Sequence, residues 1–412
     1  MTERMGIQQV FKLLIGEDVI KIGLDFLKED NERTVEEQIL LTEIEAPTFQ
    51  ERVRGEFFQK RFEELGLQNV RVDEHGNVYG DRPGSGGPKL VVSAHLDTVF
   101  PAGTDLKAKK RDGKIYAPGI ADDGRGLASL LTLIRALNET GVKTVGDIVF
   151  VATVGEEGLG DLKGVKGLFK NHKDIDGFIS IEPGTPNEVT YLGTGSRRYR
   201  VTYTGPGGHS FGDFGLPSAI HALGRAIGKI SNLQVPDHPK TTFNVGTITG
   251  GTSVNTIAAS ASTVIDLRSI AQDELLSLEK EVLEIIQQAA NDENSRWGKE
   301  EIRVEIELVG DRPAGSQSQD SLIVQSALVA ADLLGFDPVL NGASSTDSNV
   351  PISLGIPAVT LGGGGGYGGC HTLEEYFEPK EAYHGVQKIF LFMLGLVGIE
   401  EITKPLLEKR TK

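Results

Sequence analysis

A chain of 412 residues is longer than one hydrophobic core usually serves, which excludes a small stapled scaffold and favours two or three domains. With 39% hydrophobic and 24% charged residues, the composition excludes disorder throughout. The balance of 42 Lys and Arg against 58 Asp and Glu leaves a formal charge of -16, which repels polyanions and argues against nucleic acid or an anionic membrane as partner.

The first 65 residues read as helices: residues 20–27 and 35–44 are apolar at helical spacing, and Thr48 with Glu51 forms a capping-box signature ahead of Phe57 and Phe58. From Lys89 the pattern changes to short apolar runs at 90–94, 148–154 and 178–181, with a helical period at 127–137. Strands alternating with a helix predict an α/β sheet. Each predicted strand ends in polar residues, His95 and Asp97, then Glu156 and Glu157, then Glu182. In open α/β sheets ligands collect at such carboxyl ends.

After Gly184 the order becomes strand (199–204), helix (218–230), strands (243–249 and 257–267), helix (275–289) and strand (302–309). This βαββαβ order is that of a ferredoxin-like unit. The α/β pattern resumes with a helix to Leu334, a buried strand at 358–361 and a last helix at 382–397. The predicted organisation is therefore an α/β domain in two parts, 1–193 and 311–412, interrupted by an insertion at 194–310. No run approaches the roughly 20 apolar residues that span a bilayer, and the start of the chain has no signal-peptide pattern. The single Cys370 cannot form an intrachain disulfide, so a cytoplasmic location is expected.

Five motifs carry chemistry. Ser93-Ala94-His95-Leu96-Asp97 leaves a strand, with Asp97 two residues on and able to steer the imidazole of His95. Gly119-Ile120-Ala121-Asp122-Asp123-Gly124 places acids in a glycine-rich turn before an apolar helix, where Asp122 could also serve as an N-cap. The adjacent Glu156 and Glu157 end an apolar strand, where their mutual repulsion and desolvation call for compensating cations. Glu182 ends the next strand, and His371 follows a glycine run. Two histidines with three or four carboxylates at strand ends form a two-metal set. Nitrogen and oxygen donors without thiolate suit Zn, Co or Mn better than Ca or Mg.

Three other patterns carry less. Gly363, Gly365 and Gly368 satisfy a dinucleotide-binding spacing without a following capped helix. The better reading is a backbone loop that approaches substrate before delivering His371. Cys370 reads as a structural thiol. The Ser344–Ser348 run lacks a nucleophile elbow and reads as a helix cap, with Asp347 as a residue that could line the cleft.

In order and spacing, His95-x-Asp97, the Asp122-Asp123 turn, Glu156-Glu157, Glu182-Pro183 and His371 resemble the co-catalytic metallopeptidases that include peptidase T, glutamate carboxypeptidase, aminoacylase and succinyl-diaminopimelate desuccinylase. The resemblance covers nearly the whole chain and implies an α/β catalytic domain with an inserted lid and dimerisation domain. It implies that Asp122 bridges two metals, that His95 and Glu182 complete one site, and that Glu157 and His371 complete the other. Glu156 would be the general base and Asp97 the orienter of His95. His209 in Gly207-Gly208-His209-Ser210, Asn255 and Arg268 resemble substrate-holding residues of the insertion, His209 acting in a neighbouring subunit; an exposed loop histidine and a strand-end salt bridge are the plainer readings of His209 and Arg268. Together these imply a cytoplasmic homodimer that hydrolyses small peptides with two divalent ions, most simply zinc. An N-acyl amino acid hydrolase is the alternative within enzymes. A metal-free binding protein on the same fold is the alternative outside them.

Overall fold

Strand-length apolar runs that are buried on both faces must be covered by helices on both sides, and this requirement organises the larger part of the chain. The computed structural model describes residues 2–410, which divide into two compact units: 2–193 with 316–410, and Thr194–Gly315.

The larger unit is built on an eight-stranded sheet in the order Gln68–Val72, Val78–Arg82, Asp147–Thr153, Lys89–His95, Gly177–Glu182, Ala358–Gly362, Glu188–Thr190 and Val339–Asn341. The four strands from Asp147–Thr153 to Ala358–Gly362 are parallel neighbours. Side chains alternate across them. Leu90, Val92, Phe150 and Ile179 pack with the helices Gly124–Thr140 and Tyr383–Val397 on one face. Val91, Val149, Val151 and Phe178 pack with Val165, Leu168 and Phe169 of the helix Lys163–Asn171 on the other.

The register decides where the polar strand ends fall. His95 lies opposite Thr153, two residues before Gly155, and Ser93 lies opposite Ser180, so that His95 and Glu182 each come two residues further along neighbouring strands. Glu182 in turn lies opposite Gly362, where the glycine run begins.

The smaller unit is an antiparallel four-stranded sheet in the order Thr241–Gly250, Ser260–Ser269, Gly195–Thr204, Arg303–Arg312. With the helices Ala219–Ile230 and Gln272–Trp297 it has the ferredoxin-like order. Its core joins Val201, Tyr203, Leu223, Ile265, Leu267, Val282 and Ile286. The strand Arg303–Arg312 carries this unit past residue 310.

Several local expectations need correction. The capping box at Thr48 and Glu51 does not form: the helix is Arg52–Glu64 with Glu51 as N-cap and no side-chain cap bond. Glu51 instead accepts N–H groups from Phe49 and Gly155, and the Thr48 hydroxyl donates to Asp97, because buried acceptors compete successfully for these donors. The 257–267 run is not one strand. Thr256–Ile257 pairs with Gly208–His209, and the long strand starts at Ser260. The Ser344–Ser348 run precedes the short helix Asn349–Ser353 without a side-chain cap, since the Thr346 and Ser348 hydroxyls bond with Thr360 on the adjacent strand. No helix among the described residues is long and apolar enough to cross a membrane.

A buried charge network ties the helical entry to the core. The Arg135 guanidinium donates to Asp30 through Nε at 2.8 Å and also pairs with Glu37, which Arg61 holds from its other side. Removing one partner of such a network leaves buried carboxylates uncompensated. Arg135→Ala is expected to lower unfolding free energy by about 3–5 kcal/mol, read from urea denaturation; a loss within about 0.5 kcal/mol, typical of an indifferent surface position, would contradict this role.

Candidate metal centre

Asp122 has two carboxylate oxygens, and each faces a different imidazole. Its Oδ1 lies 3.0 Å from Nε2 of His95 and its Oδ2 lies 3.1 Å from Nε2 of His371. His371 Nε2 is also 2.9 Å from Glu157 Oε1, and His95 Nε2 is 3.8 Å from Glu182 Oε2. Side chains drawn from positions 95, 122, 157, 182 and 371 therefore converge within one polar cluster. Glu156 belongs to it too: one of its carboxylate oxygens lies within 4.8 Å of ligand atoms of His95 and Glu157.

The backbone accounts for this convergence. His95 and Glu182 end parallel neighbours, and Glu156 and Glu157 follow the end of a third strand. Asp122 is supplied by the turn before the helix Gly124–Thr140. The N-cap of that helix is Asp123, not Asp122: Asp123 accepts the N–H of Gly126 at 3.0 Å through Oδ1 and that of His95 at 3.0 Å through Oδ2. This leaves the Asp122 side chain for the two histidines.

Asp97 does more than steer His95. His95 Nδ1 is 3.0 Å from the main-chain carbonyl of Asp97 and 3.6 Å from its carboxylate. The carboxylate accepts the N–H of Glu156 at 2.9 Å and that of Glu157 at 3.0 Å, together with the Thr48 hydroxyl at 2.9 Å. One wholly buried carboxylate thus fixes the backbone of Glu156 and Glu157, while the carbonyl of the same residue lies against His95.

The electrostatics is that of a cluster rich in anions. Burial opposes charge on His95, yet its hydrogen bonds to Asp122 and Asp97 and the charge of Glu182 hold its pKa well above the ordinary histidine value. Hydrogen bonds to Asp122 and Glu157 push His371 up to about 10. Burial, reinforced by the neighbouring carboxylates, holds Glu182 and Asp123 well above the usual carboxyl range. Carboxyls whose ionisation is opposed by burial and by one another, as at Glu182 and Asp123, describe a site short of positive charge. Divalent cations supply that charge, and the nitrogen and oxygen donors suit them.

Four residues that shape the centre carry no clear sequence signal. Glu375, Arg125, Thr48 and Arg54 act mainly through main-chain atoms or through groups far along the chain. Arg125, buried on the helix that follows Asp122, donates to the carbonyls of Gly363 and Ala382, both at 2.8 Å. Arg54, also buried, donates to the carbonyls of Thr42, Ile44 and Leu96. An arginine between two glycines at the start of an apolar helix was the one readable oddity. As for the other patterns, no helix follows Gly368: the strand Gly366–Gly368 pairs with Tyr376–Glu378. Burial and neighbouring acids push the Cys370 thiol up to about 12, which keeps it protonated and unsuited to nucleophilic attack. Asp347 is buried and accepts the Thr153 hydroxyl at 2.6 Å.

His209, Asn255 and Arg268 lie in the smaller unit. His209 is exposed, and its Nδ1 accepts the N–H groups of Phe211 and Gly212 at 3.2 Å. The Asn255 carbonyl accepts the N–H of Ser210 at 3.0 Å, so Asn255 and the His209 loop are held together. Arg268 pairs with Asp266 at 2.7 Å, the strand salt bridge its sequence context allows.

Residues 91–394 match peptidase family M20/M25/M40. The chain belongs to this family and is a hydrolase of peptide or amide bonds. It is 27% identical to carboxypeptidase G2 of Pseudomonas sp. (strain RS-16) over 360 residues, 81% of this chain and 82% of that protein. It is 25% identical over 368 residues to the uncharacterized protein YqjE of Bacillus subtilis (strain 168), 85% of this chain and 95% of that one. Among solved structures, aminopeptidase PepT from Bacillus cereus ATCC 10987 superposes with a TM-score of 0.72 at 26% identity, covering 88% of this chain and 97% of the other.

Asp97→Asn places an amide group where one carboxylate oxygen receives an N–H. Metal affinity is expected to fall about 10- to 100-fold, as for other groups that orient ligands, measured by competition with a chromophoric chelator. Unchanged affinity would show that Asp97 orients nothing.

Proposed function

We propose that this chain is a two-metal hydrolase of small peptides. The observation that carries the reading is the Asp122 carboxylate set between His95 and His371 at 3.0 and 3.1 Å. Asp122 would hold both cations, His95 and Glu182 one of them, and Glu157 and His371 the other. Zinc is the ion we assign, with cobalt or manganese as substitutes for the same donors. When bound, the pair supplies a water of lowered pKa and a polarising charge for the scissile carbonyl.

Glu156 belongs to neither ligand set. Its carboxylate takes the proton released by the attacking water and returns it to the nitrogen of the leaving amine. Asp97 holds the Glu156 backbone and the imidazole of His95 in place. The named relatives include an aminopeptidase and a carboxypeptidase, so both free ends are covered by the substrate class. Hydrolysis of a panel of di- and tripeptides against N-acetyl amino acids separates peptidase activity from the N-acyl amino acid alternative. Metal binding separates both from a metal-free binding protein.

In Asp122→Ala the protein is expected to lose both cations, whereas Glu156→Gln keeps them and loses about 10²- to 10⁴-fold in kcat. Elemental analysis and steady-state kinetics read these outcomes. Two metals retained per chain in Asp122→Ala, or near-normal kcat in metal-loaded Glu156→Gln, would overturn the respective assignment.

The unit Thr194–Gly315 is proposed as the lid and the pairing surface of a cytoplasmic homodimer, with Asn255 and Arg268 holding substrate and His209 serving the partner's site. The support is the family to which the chain belongs and the exposure of His209 within a loop fixed by its own hydrogen bonds. Mixing His209→Ala with Glu156→Gln under exchange conditions is expected to restore up to roughly half the wild-type activity per heterodimer, because one of two independent sites is then intact. Proven exchange without recovered turnover would remove the role in trans.

A further inference from the structure

The segment that carries His371 and the segment that carries Asp122 are distant in sequence but run side by side. Tyr376 and Phe377 pair antiparallel with Tyr116 and Ile115, and the N–H of Ala117 donates to the Glu375 carbonyl at 3.1 Å. Beyond Ala117 the chain curls around the Glu375 side chain. Oε2 of Glu375 accepts the N–H of Gly119, and Oε1 accepts those of Ala121 and Asp122, all at 2.9 Å. The remaining N–H of this turn, that of Ile120, goes to the Ala117 carbonyl at 3.1 Å. Glu375 is wholly buried.

Glu375 is also tied to His371. The N–H of Thr372 donates to the Gly369 carbonyl at 3.0 Å and that of Glu375 to the Thr372 carbonyl at 3.2 Å, making two successive turns across residues 369–375. Three converging N–H donors need both oxygens of a carboxylate; a glutamine amide offers one acceptor and turns a donor toward a donor. A single side chain therefore joins the turn that presents Asp122 to the loop that presents His371.

We infer that Glu375 is a positioning residue for the metal centre: it sets the Asp122 carboxylate against His371 and thereby the affinity of the centre for its cations. This inference rests on the two-metal reading of the site. It assigns no proton transfer and no ligand bond to Glu375.

The test titrates the metal-stripped protein with Co(II), following the visible absorption bands, and with Zn(II) against a competing chelator. Wild type, Glu375→Gln, Glu375→Asp and Asp122→Ala are compared, with thermal melts of each metal-stripped protein alongside. Glu375→Gln is expected to weaken binding of at least one cation about 10- to 100-fold, the range for groups that orient ligands, and to alter the Co(II) bands. Glu375→Asp keeps the charge but is one methylene short, so its affinity is expected to fall between wild type and Glu375→Gln. If Glu375→Gln does not fold, Glu375→Asp decides alone: weakened Co(II) binding with altered bands supports the inference, and wild-type binding overturns it. Folded variants that bind two cations with wild-type affinity and unchanged bands overturn it even if their melting temperatures drop, since a merely structural role moves only the melt. Asp122→Ala separates the two levels. If it loses the cations while Glu375→Gln does not, only the positioning role fails; if it retains both, the two-metal reading itself fails.

Discussion

One electrostatic constraint governs the larger unit: several carboxylates and two imidazoles are held close together at the carboxyl ends of the central strands of an apolar sheet. Left to themselves, like charges at that spacing repel, and each also loses hydration. The fold counters this with fixed donors. N–H groups from Glu156, Glu157 and His95, and three from the turn at Gly119–Asp122, are each aimed at a buried acid, Asp97, Asp123 or Glu375. The acids that receive them do not face outward. They hold the backbone that carries Asp122, Glu156 and Glu157.

The parallel sheet makes this economical in sequence. Neighbouring parallel strands end on the same side, so residues 95, 156–157 and 182 arrive together without any long loop. Only Asp122 and His371 come from elsewhere. Their two segments are tied to each other through Arg125, which donates to the Gly363 carbonyl, and through Glu375, which accepts the N–H of Asp122.

Much of this was legible in the sequence because a carboxylate that ends an apolar run is conspicuous. Glu156, Glu157 and Glu182 stand out for that reason, His95 as an imidazole at the same kind of strand end, and the βαββαβ order follows from apolar periodicity alone. The illegible part has a common physical character. Thr48, Arg54, Arg125 and Glu375 bond largely to main-chain atoms or to groups far along the chain, and a backbone N–H or carbonyl leaves no residue-type pattern to read. The capping box failed for a related reason. Thr48 and Glu51 have the right spacing, but Asp97 and the N–H of Gly155, remote in sequence, compete for them. The hairpin Gln68–Val72 with Val78–Arg82 has too few apolar residues for periodicity to mark, and the helix Lys163–Asn171, though Val165, Leu168 and Phe169 keep helical spacing, is only nine residues long and carries two glycines.

The glycine run looks by composition like a flexible tether, and the packing says the opposite. A Cβ on Gly362 would meet Gly184 at 2.2 Å, one on Gly363 would meet Arg125 at 2.9 Å, and one on Gly385 would meet Gly363 at 2.3 Å. These glycines are present because there is no volume for anything else. Glycine, however, loses more conformational entropy on ordering than any other residue. The stretch leading to His371 therefore has much freedom to surrender, and its order is borrowed from neighbours: the Arg125 guanidinium, the strand Tyr376–Glu378 and the adjoining helix Tyr383–Val397. Native rigidity around His371 is thus a collective property of surrounding side chains, so a substitution well away from it can disorder the loop.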